Sequence, residues 1–280
     1  MTNYIALAEA LLPDVLKAGQ VIMSHHRRGG EVSTKSGGFP VTQADLQAEA
    51  VLLEALAAAA PGVPVIAEEM MEGHTAGVMG REFFLVDPLD GTREFIEGGD
   101  EFTINIGLVR DRVPCFGIIY APALSSMYLT IASDAAISAT VSPDARIARL
   151  ADLRSSRIHT RSVSESDPLV ISVSRRHDSE TLETWLRGIN VGMLTNISSS
   201  LKFCRVAEGK ADVYPRFGPT NEWDTAAGHA LLLAAGGVVT ECDGSPLYYG
   251  KSEADFLNPW FIATASRMPG LYGRALSTAG

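Results

Sequence analysis

An apolar run, Phe83-Phe84-Leu85-Val86, leads straight into Asp87-Pro88-Leu89-Asp90-Gly91-Thr92. The run reads as a buried strand, and Pro88 cannot donate to a sheet ladder, so the pairing cannot simply continue through it. Asp90-Gly91 then makes a tight turn, and Thr92 can open a helix. Two carboxylates, with the Leu89 carbonyl between them, are thereby delivered to a strand end that faces a helix start. Hard divalent cations take such oxygen ligands, and magnesium commonly uses one or two carboxylates together with substrate phosphate oxygens. The amides of Gly91 and Thr92 could hold a phosphate at the helix start. Taken alone, the same residues also read as a turn with a capping aspartate.

Other acids sit at comparable places. Val63-Pro64-Val65-Ile66-Ala67 ends in Glu68-Glu69. Strand alternation aims only one of that pair at a shared site; Glu68 is the better ligand and Glu69 reads as a solvated strand end. Asp45 lies in Thr42-x-x-Asp45, a capping-box spacing in which the acid serves the backbone. Asp224 reads equally as an N-cap or first-turn acid favoured by the helix dipole. Each is weak alone, but four separate elements each end in an acid. Competing chemistries lack their residues: the six histidines contain no HExxH, and His25-His26 reads as a solvated helix end. There is no GxSxG or catalytic-cysteine context, and Gly209-Lys210 is followed by Ala211, so it is no Walker loop. Trp185, Trp223 and Trp260 read as packing residues. Metal-assisted phosphoryl chemistry remains.

The 280-residue chain carries a formal charge of −10, which argues against binding a nucleic-acid polymer through its backbone. It does not forbid a phosphorylated small molecule, because bound cations reverse the sign locally. Three well-separated cysteines without CxxC suit a reducing cytosol. The expectation is a cytoplasmic protein with no signal peptide and no membrane span. Helices are expected over 4–26, with Pro13 as a kink, and from Thr42 to about Ala60. Between them, Arg27 to Pro40, including Lys35, reads as a mobile loop. Strands are expected near 102–108, 113–120 and 125–132 in an antiparallel sheet, and 133–167 reads as polar and weakly periodic. Beyond Asp167-Pro168 strands and helices alternate: Leu169–Ser174, a helix near 178–188, 191–195, a helix over 199–209, 211–215, a helix from Asp224 to Ala235, and 237–241. The expected division is an α+β half, 1–167, and an α/β half, 168–280.

Three signatures now fall into order: Ala67-Glu68-Glu69, Asp87-Pro88-Leu89-Asp90-Gly91-Thr92, and Trp223-Asp224-Thr225-Ala226-Ala227-Gly228. Together they resemble the inositol monophosphatase superfamily over nearly the whole chain. Three further stretches resemble its bacterial 3′(2′),5′-bisphosphate nucleotidases. These are Lys35 to Thr42, Arg93-Glu94-Phe95 with Glu101 to Ile106, and Ser199-Ser200-Leu201-Lys202-Phe203-Cys204 running on to Tyr214 through Thr220.

The resemblance implies a layered αβαβα sandwich of the inositol monophosphatase and fructose-1,6-bisphosphatase type, with two or three magnesium ions between the halves. By analogy Glu68, Asp87 and the Leu89 carbonyl hold one ion, and Asp87, Asp90 and Asp224 a second. Asp45 and the Thr92 hydroxyl orient and deprotonate water. The implied substrate is adenosine 3′,5′-bisphosphate, touching Gly91, Thr92 and the metal residues with its 3′-phosphate. Ser199, Lys202 and Arg216 would meet its second phosphate or ribose, although Lys202 also reads as a solvated helix residue. His177 beside the base reads more readily as a surface residue, the Lys35 loop resembles the family's lid, and lithium sensitivity is a family trait. Glu222 stands where an apolar residue is expected. An inositol or sugar-phosphate phosphatase on the same scaffold is the alternative. A catalytically silent binding protein is the other, less favoured because all the implied metal residues are present.

Overall fold

The computed structural model describes residues 3–26, 32–34, 40–71, 80–164, 166–175 and 179–274. Helix α1, Tyr4–His26, runs unbroken through Pro13 and buries Leu7, Ala8, Leu11, Leu12, Val15, Ala18 and Ile22 on one stripe. The strands β1 (Val32–Thr34) and β2 (Pro40–Thr42) pair antiparallel. Residues 27–31 and 35–39, and so Lys35 and most of the expected loop, lie outside the described residues. Helix α2, Gln43–Ala59, starts from Thr42 as N-cap.

A seven-stranded sheet follows, formed by β3 (Val65–Ala67), β4 (Glu82–Asp90), β5 (Thr103–Arg110), β6 (Val113–Ala121), β7 (Ser126–Ala132), β8 (Ala135–Thr140) and β9 (Ser155–Ile158) in that spatial order. The short helix α3, Thr92–Ile96, interrupts it. Strands β8 and β9 fall inside the stretch expected to be weakly periodic. They pair antiparallel at the sheet's edge, and β9 shows no apolar alternation because Ser155, Ser156 and Arg157 are all exposed and only Ile158 is buried. The second sheet is mixed and five-stranded, in the order β11-β10-β12-β14-β13. Its members are β10 (Leu169–Val173), β11 (Val191–Asn196), β12 (Val213–Arg216), β13 (Val238–Glu241) and β14 (Phe261–Thr264). The β10 pairs are parallel and the β14 pairs antiparallel; alternation of elements gave every strand of this sheet but β14, which has no α-helix between it and β13 to mark it. Its helices are α4 (Ser179–Leu186), α5 (Leu201–Ala207) and α6 (Glu222–Ala234).

Three apolar cores define the layers. One fills the space between α1, α2 and the first sheet. The second lies between the two sheets around α5 and α6, and the third packs Trp185 of α4 against the outer face of the second sheet. This is the layered αβαβα sandwich. Strand β5 forms in the antiparallel sheet as its alternation suggests, and Thr103 and Asn105 are as buried as Ile104 and Ile106, because the polar positions face the inner layer instead of water. No helix among the described residues is long and apolar enough to cross a membrane.

The closest approach in the sandwich is that of α6 to β5 and β6. A Cβ on Gly107 would stand 2.6 Å from the Ala226 methyl, and one on Gly117 would fall on the Ala227 carbonyl. Backbone cannot yield as a side-chain tip can, so Gly117→Ala is expected to destabilise the fold by about 1–3 kcal/mol through overpacking. The midpoint of urea unfolding measures it; an unchanged midpoint would mean that α6 can lift off the sheet freely.

Candidate active site

Strand β4 pairs with β5 continuously from Glu82 to Asp87, then shifts register before Asp90 pairs with Thr103. The shift falls at Pro88, as its missing donor requires. Within it the Leu89 amide donates to Asp87 Oδ1 at 2.9 Å. Gly91 then turns the chain into α3 with φ of +93°. A Cβ there would meet the Glu101 carbonyl at 3.1 Å, so both the backbone angle and the space call for glycine. Asp45 enters from α2 as the third residue of an actual capping box. Its Oδ2 accepts from the Thr42 amide at 2.8 Å and the Thr42 hydroxyl at 2.7 Å. The Thr92 hydroxyl points at Asp45 Oδ1 at 3.3 Å and the Leu89 carbonyl at 3.1 Å. Capping and the proposed chemistry are therefore not alternatives for Asp45, because they use different oxygens.

From the second sheet's side come two segments. Asn221 is the N-cap of α6 and Asp224 its third residue, so of the two readings Asp224 is the first-turn acid and not the N-cap, and the helix starts at Glu222, two residues before the expected Asp224. Its Oδ2 accepts from the Thr220 hydroxyl at 2.6 Å and the Asn221 amide at 2.9 Å. The helix expected over 199–209 begins only at Leu201. Ser199 before it has φ of +60°, and the turn is pinned to the first sheet. The Ser200 amide donates to Asp90 Oδ2 at 2.7 Å, the Ser200 hydroxyl donates to Asn105 Oδ1 at 2.7 Å, and the Thr103 hydroxyl meets those of Ser199 and Ser200.

These pieces surround one cleft of about 380 Å³. Glu68, Asp87, Leu89, Asp90, Gly91, Thr92, Ser199, Lys202, Arg216 and Asp224 all line it. Asp45 does not, and reaches it only through Thr92. Glu68 is half-buried on the cleft while Glu69 is buried away from it, its amide donating to Glu49 at 2.9 Å; Glu69 is therefore not the solvated strand end expected. Burial, reinforced by the charges of Glu68, Asp90 and Asp224, pushes the Asp87 carboxyl well above its ordinary range, and burial with Asp90 and Glu68 raises Asp224. Burial also raises Asp45. Among the described residues no three acidic, histidine or cysteine side chains form a closed ion cage. Yet Asp87, Asp90 and Asp224 each give one oxygen to a protein donor, while the other accepts no hydrogen bond. Oxygen donors of that kind, beside a carbonyl and an open cleft, fit a hard cation that completes its shell with water and phosphate.

Lys202 is not a solvated helix residue. It is 3% exposed, donates to the carbonyls of Ile197 at 3.3 Å and Ser199 at 2.6 Å, and burial brings its pKa down to about 8. Arg216 donates to the Gly218 and Pro219 carbonyls and the Ser174 hydroxyl. Glu222 is fully buried and accepts from the Gly250 and Lys251 amides and the Lys251 ammonium. An acid thus fits where an apolar residue was expected. His26 packs against Phe95 and Phe102 and bonds the Gly99 carbonyl, so it too is more than a solvated helix end. His177 lies outside the described residues. The polar clasp of Thr103, Asn105 and Ser200 was missed in the sequence. Its only signal is a pair of small hydrogen-bonding residues at alternate positions of a strand that carries no charge there.

A fold and a cleft of this kind define a class. Residues 6–267 match the inositol monophosphatase family, and the chain belongs to that family. Among curated relatives, it is 41% identical over 246 residues to the 3′(2′),5′-bisphosphate nucleotidase CysQ of Escherichia coli K12, covering 87% of this chain and 94% of that protein. The CysQ of Haemophilus influenzae is 32% identical over 265 residues, covering 92% and 94%. Among solved structures, CysQ from Bacteroides thetaiotaomicron superposes with a TM-score of 0.76 at 35% identity, covering 94% of this chain and 98% of that one.

The clasp should be measurable as stability. Thr103→Val keeps the shape but leaves buried hydroxyl partners short of a bond, at a cost of about 1–3 kcal/mol. Denaturant unfolding checks it, and a loss well below that range would mean that water or neighbours replace the hydroxyl.

Proposed function

We propose that this protein is a magnesium-dependent phosphomonoesterase that hydrolyses the 3′-phosphate of adenosine 3′,5′-bisphosphate to AMP and orthophosphate. The observation that carries the reading is the single cleft in which Glu68, Asp87, Asp90, Asp224 and the Leu89 carbonyl face cationic Lys202 and Arg216. Relatives about 40% identical that bear the nucleotidase name support the substrate. Glu68, Asp87, Leu89, Asp90 and Asp224 would hold two or three magnesium ions. Such ions, when bound, offset phosphoryl charge, acidify water and stabilise the leaving oxygen.

The chain's own groups then do the positioning. The Thr92 hydroxyl, its proton directed to Asp45 or Leu89, turns lone pairs to the cleft and can accept from an attacking water. Asp45, raised by burial, is the fitting end of that relay, because a desolvated carboxylate takes up a proton more readily. Gly91 and Thr92 line the seat of the 3′-phosphate, and Ser199 the seat of the ribose. Lys202 and Arg216 make the far wall positive for the second phosphate. Lithium inhibition, a place in sulfur metabolism and a cytoplasmic site of action accompany this reading through the family resemblance.

Two outcomes are expected. Phosphate release at fixed magnesium should show kcat/KM for adenosine 3′,5′-bisphosphate at least about a hundredfold above myo-inositol 1-phosphate and fructose 1,6-bisphosphate, some 2.7 kcal/mol of discrimination. Preference for either of the others overturns the nucleotide assignment. The second concerns Lys202, which Asp90, Glu94 and Glu101 hold charged while burial and Arg216 oppose its charge. As pH rises through about 8 it loses its proton, so KM for the bisphosphate should climb between pH 7 and 9 more steeply than KM for adenosine 3′-phosphate. Parallel profiles would remove Lys202 from the specificity account.

A further inference from the structure

A second cavity, of about 420 Å³, shares no lining residue with the catalytic cleft. Its floor is the face of the first sheet that carries Tyr128, beside α5. Cross-strand partners on a sheet point to the same side, and here the register sets hydroxyls opposite one another. Ser126 pairs with Thr140, and Tyr128 pairs with Ser138, which pairs in turn with Ser156. Ser126 and Tyr128 are two residues apart on β7, so the two rows are neighbours on one face. Among the described residues the hydroxyls of Ser138, Thr140 and Ser156 make no hydrogen bond to protein.

The wall of this cavity is cationic. Arg205 comes from the last turn of α5, Lys210 from just beyond it, and Arg154 from the segment before β9. Glu208 is the one acid among the lining residues, 2.7 Å from Lys210 and 3.4 Å from Arg205. Arg154 is exposed and has neither a hydrogen bond nor an ion pair among the described residues. Three cations thus share one carboxylate, in a chain whose overall charge is −10. The end of α5 does not cancel this charge with bare acceptors, because its last carbonyls already accept from the Glu208, Gly209 and Lys210 amides.

We propose that this cavity is a second binding site, for a small phosphate or sulfate ester of a polyhydroxylated compound. Arg154, with no protein partner to leave, takes the tetrahedral anion through its fork of N–H groups, and Lys210 and Arg205 add charge from the facing wall. Each hydroxyl of the floor can both donate and accept, which suits the alcohols of a sugar-like body. The volume lies within the range of small-molecule sites, with room beyond the anion itself. A local excess of positive charge on an acidic protein draws anions to this place and away from the rest of the surface. Because that charge comes from side chains, binding here needs no magnesium, unlike phosphate at the acidic cleft.

The test follows backbone amide shifts by NMR while inorganic phosphate, inorganic sulfate or glucose 6-phosphate is titrated into the protein without magnesium. Saturable shifts are expected at residues 126–140, 154–156 and 205–210, and glucose 6-phosphate should bind about tenfold tighter than phosphate through its added hydrogen bonds. Arg154→Ala and Lys210→Ala should each weaken binding by about tenfold, the weight of one charge-assisted contact. Both side chains lie on the surface and outside the cleft, so unchanged phosphatase activity in the variants shows that the fold is kept. The phosphate and sulfate arms tell the two kinds of ester apart. Shifts that never saturate, or binding that survives in both variants, overturn the site, and equal affinity for phosphate and glucose 6-phosphate overturns the polyhydroxylated ligand. Failure of the cleft's signals to move with phosphate once magnesium is added would count against the proposed function alone.

Discussion

The bond from the Ser200 amide to Asp90, 2.7 Å long, joins the turn before α5 to the strand end that carries the acidic cleft. Around it the Ser200 hydroxyl, Asn105 and Thr103 close a buried polar clasp, and α6 rides on Gly107 and Gly117 beside it. These contacts set how the second sheet's contributions, Asp224 and the Ser199 turn, meet Asp87 and Asp90. In a water-excluded network each member depends on the others being satisfied, which makes the register between the sheets nearly all-or-none. A cleft assembled from both sheets needs such a fastening, because its acids repel one another.

That repulsion has a direction. Burial and neighbouring carboxylates raise Asp87 and Asp224. An acid whose folded pKa lies above its unfolded one opposes folding once ionised, and opposes it less as pH falls. Without cations the cluster therefore works against the fold at neutral pH, and the clasp, the Asp224 capping box and three apolar cores must offset it. Under the proposed function a divalent cation reverses the sign. Active sites commonly carry such local conflict, and the overall charge of −10 is part of the same pattern.

Much of this was legible in the sequence where a residue's covalent chemistry dictates the backbone. Pro88 and Gly91 forced the register shift and turn at the places expected, Thr42 capped α2, and the stripe in α1 appeared unbroken from Tyr4 to His26. Less was legible where tertiary context overrides local pattern. Thr103 and Asn105 alternate with apolar residues, and alternation cannot say what covers a strand's polar face. Strand β9 is an edge strand with Ser155, Ser156 and Arg157 exposed, and β14 has no α-helix between it and β13 to mark it. Lys202 looks soluble by type, and only the fold reveals two carbonyls waiting for its ammonium. Asp45 looked like a choice between cap and catalyst, which the two-sided geometry of a carboxylate dissolves.

The central claim, that the acids of the cleft form a divalent-cation site, is tested most directly by calorimetric titration of magnesium into the wild-type protein and Asp90→Asn. The amide oxygen of asparagine can still accept from Ser200, so the clasp is kept while a charge is removed. The account predicts saturable magnesium binding to the wild-type protein, tightened by orthophosphate, and loss of most of that affinity in the variant. Equal affinity in both proteins would contradict it.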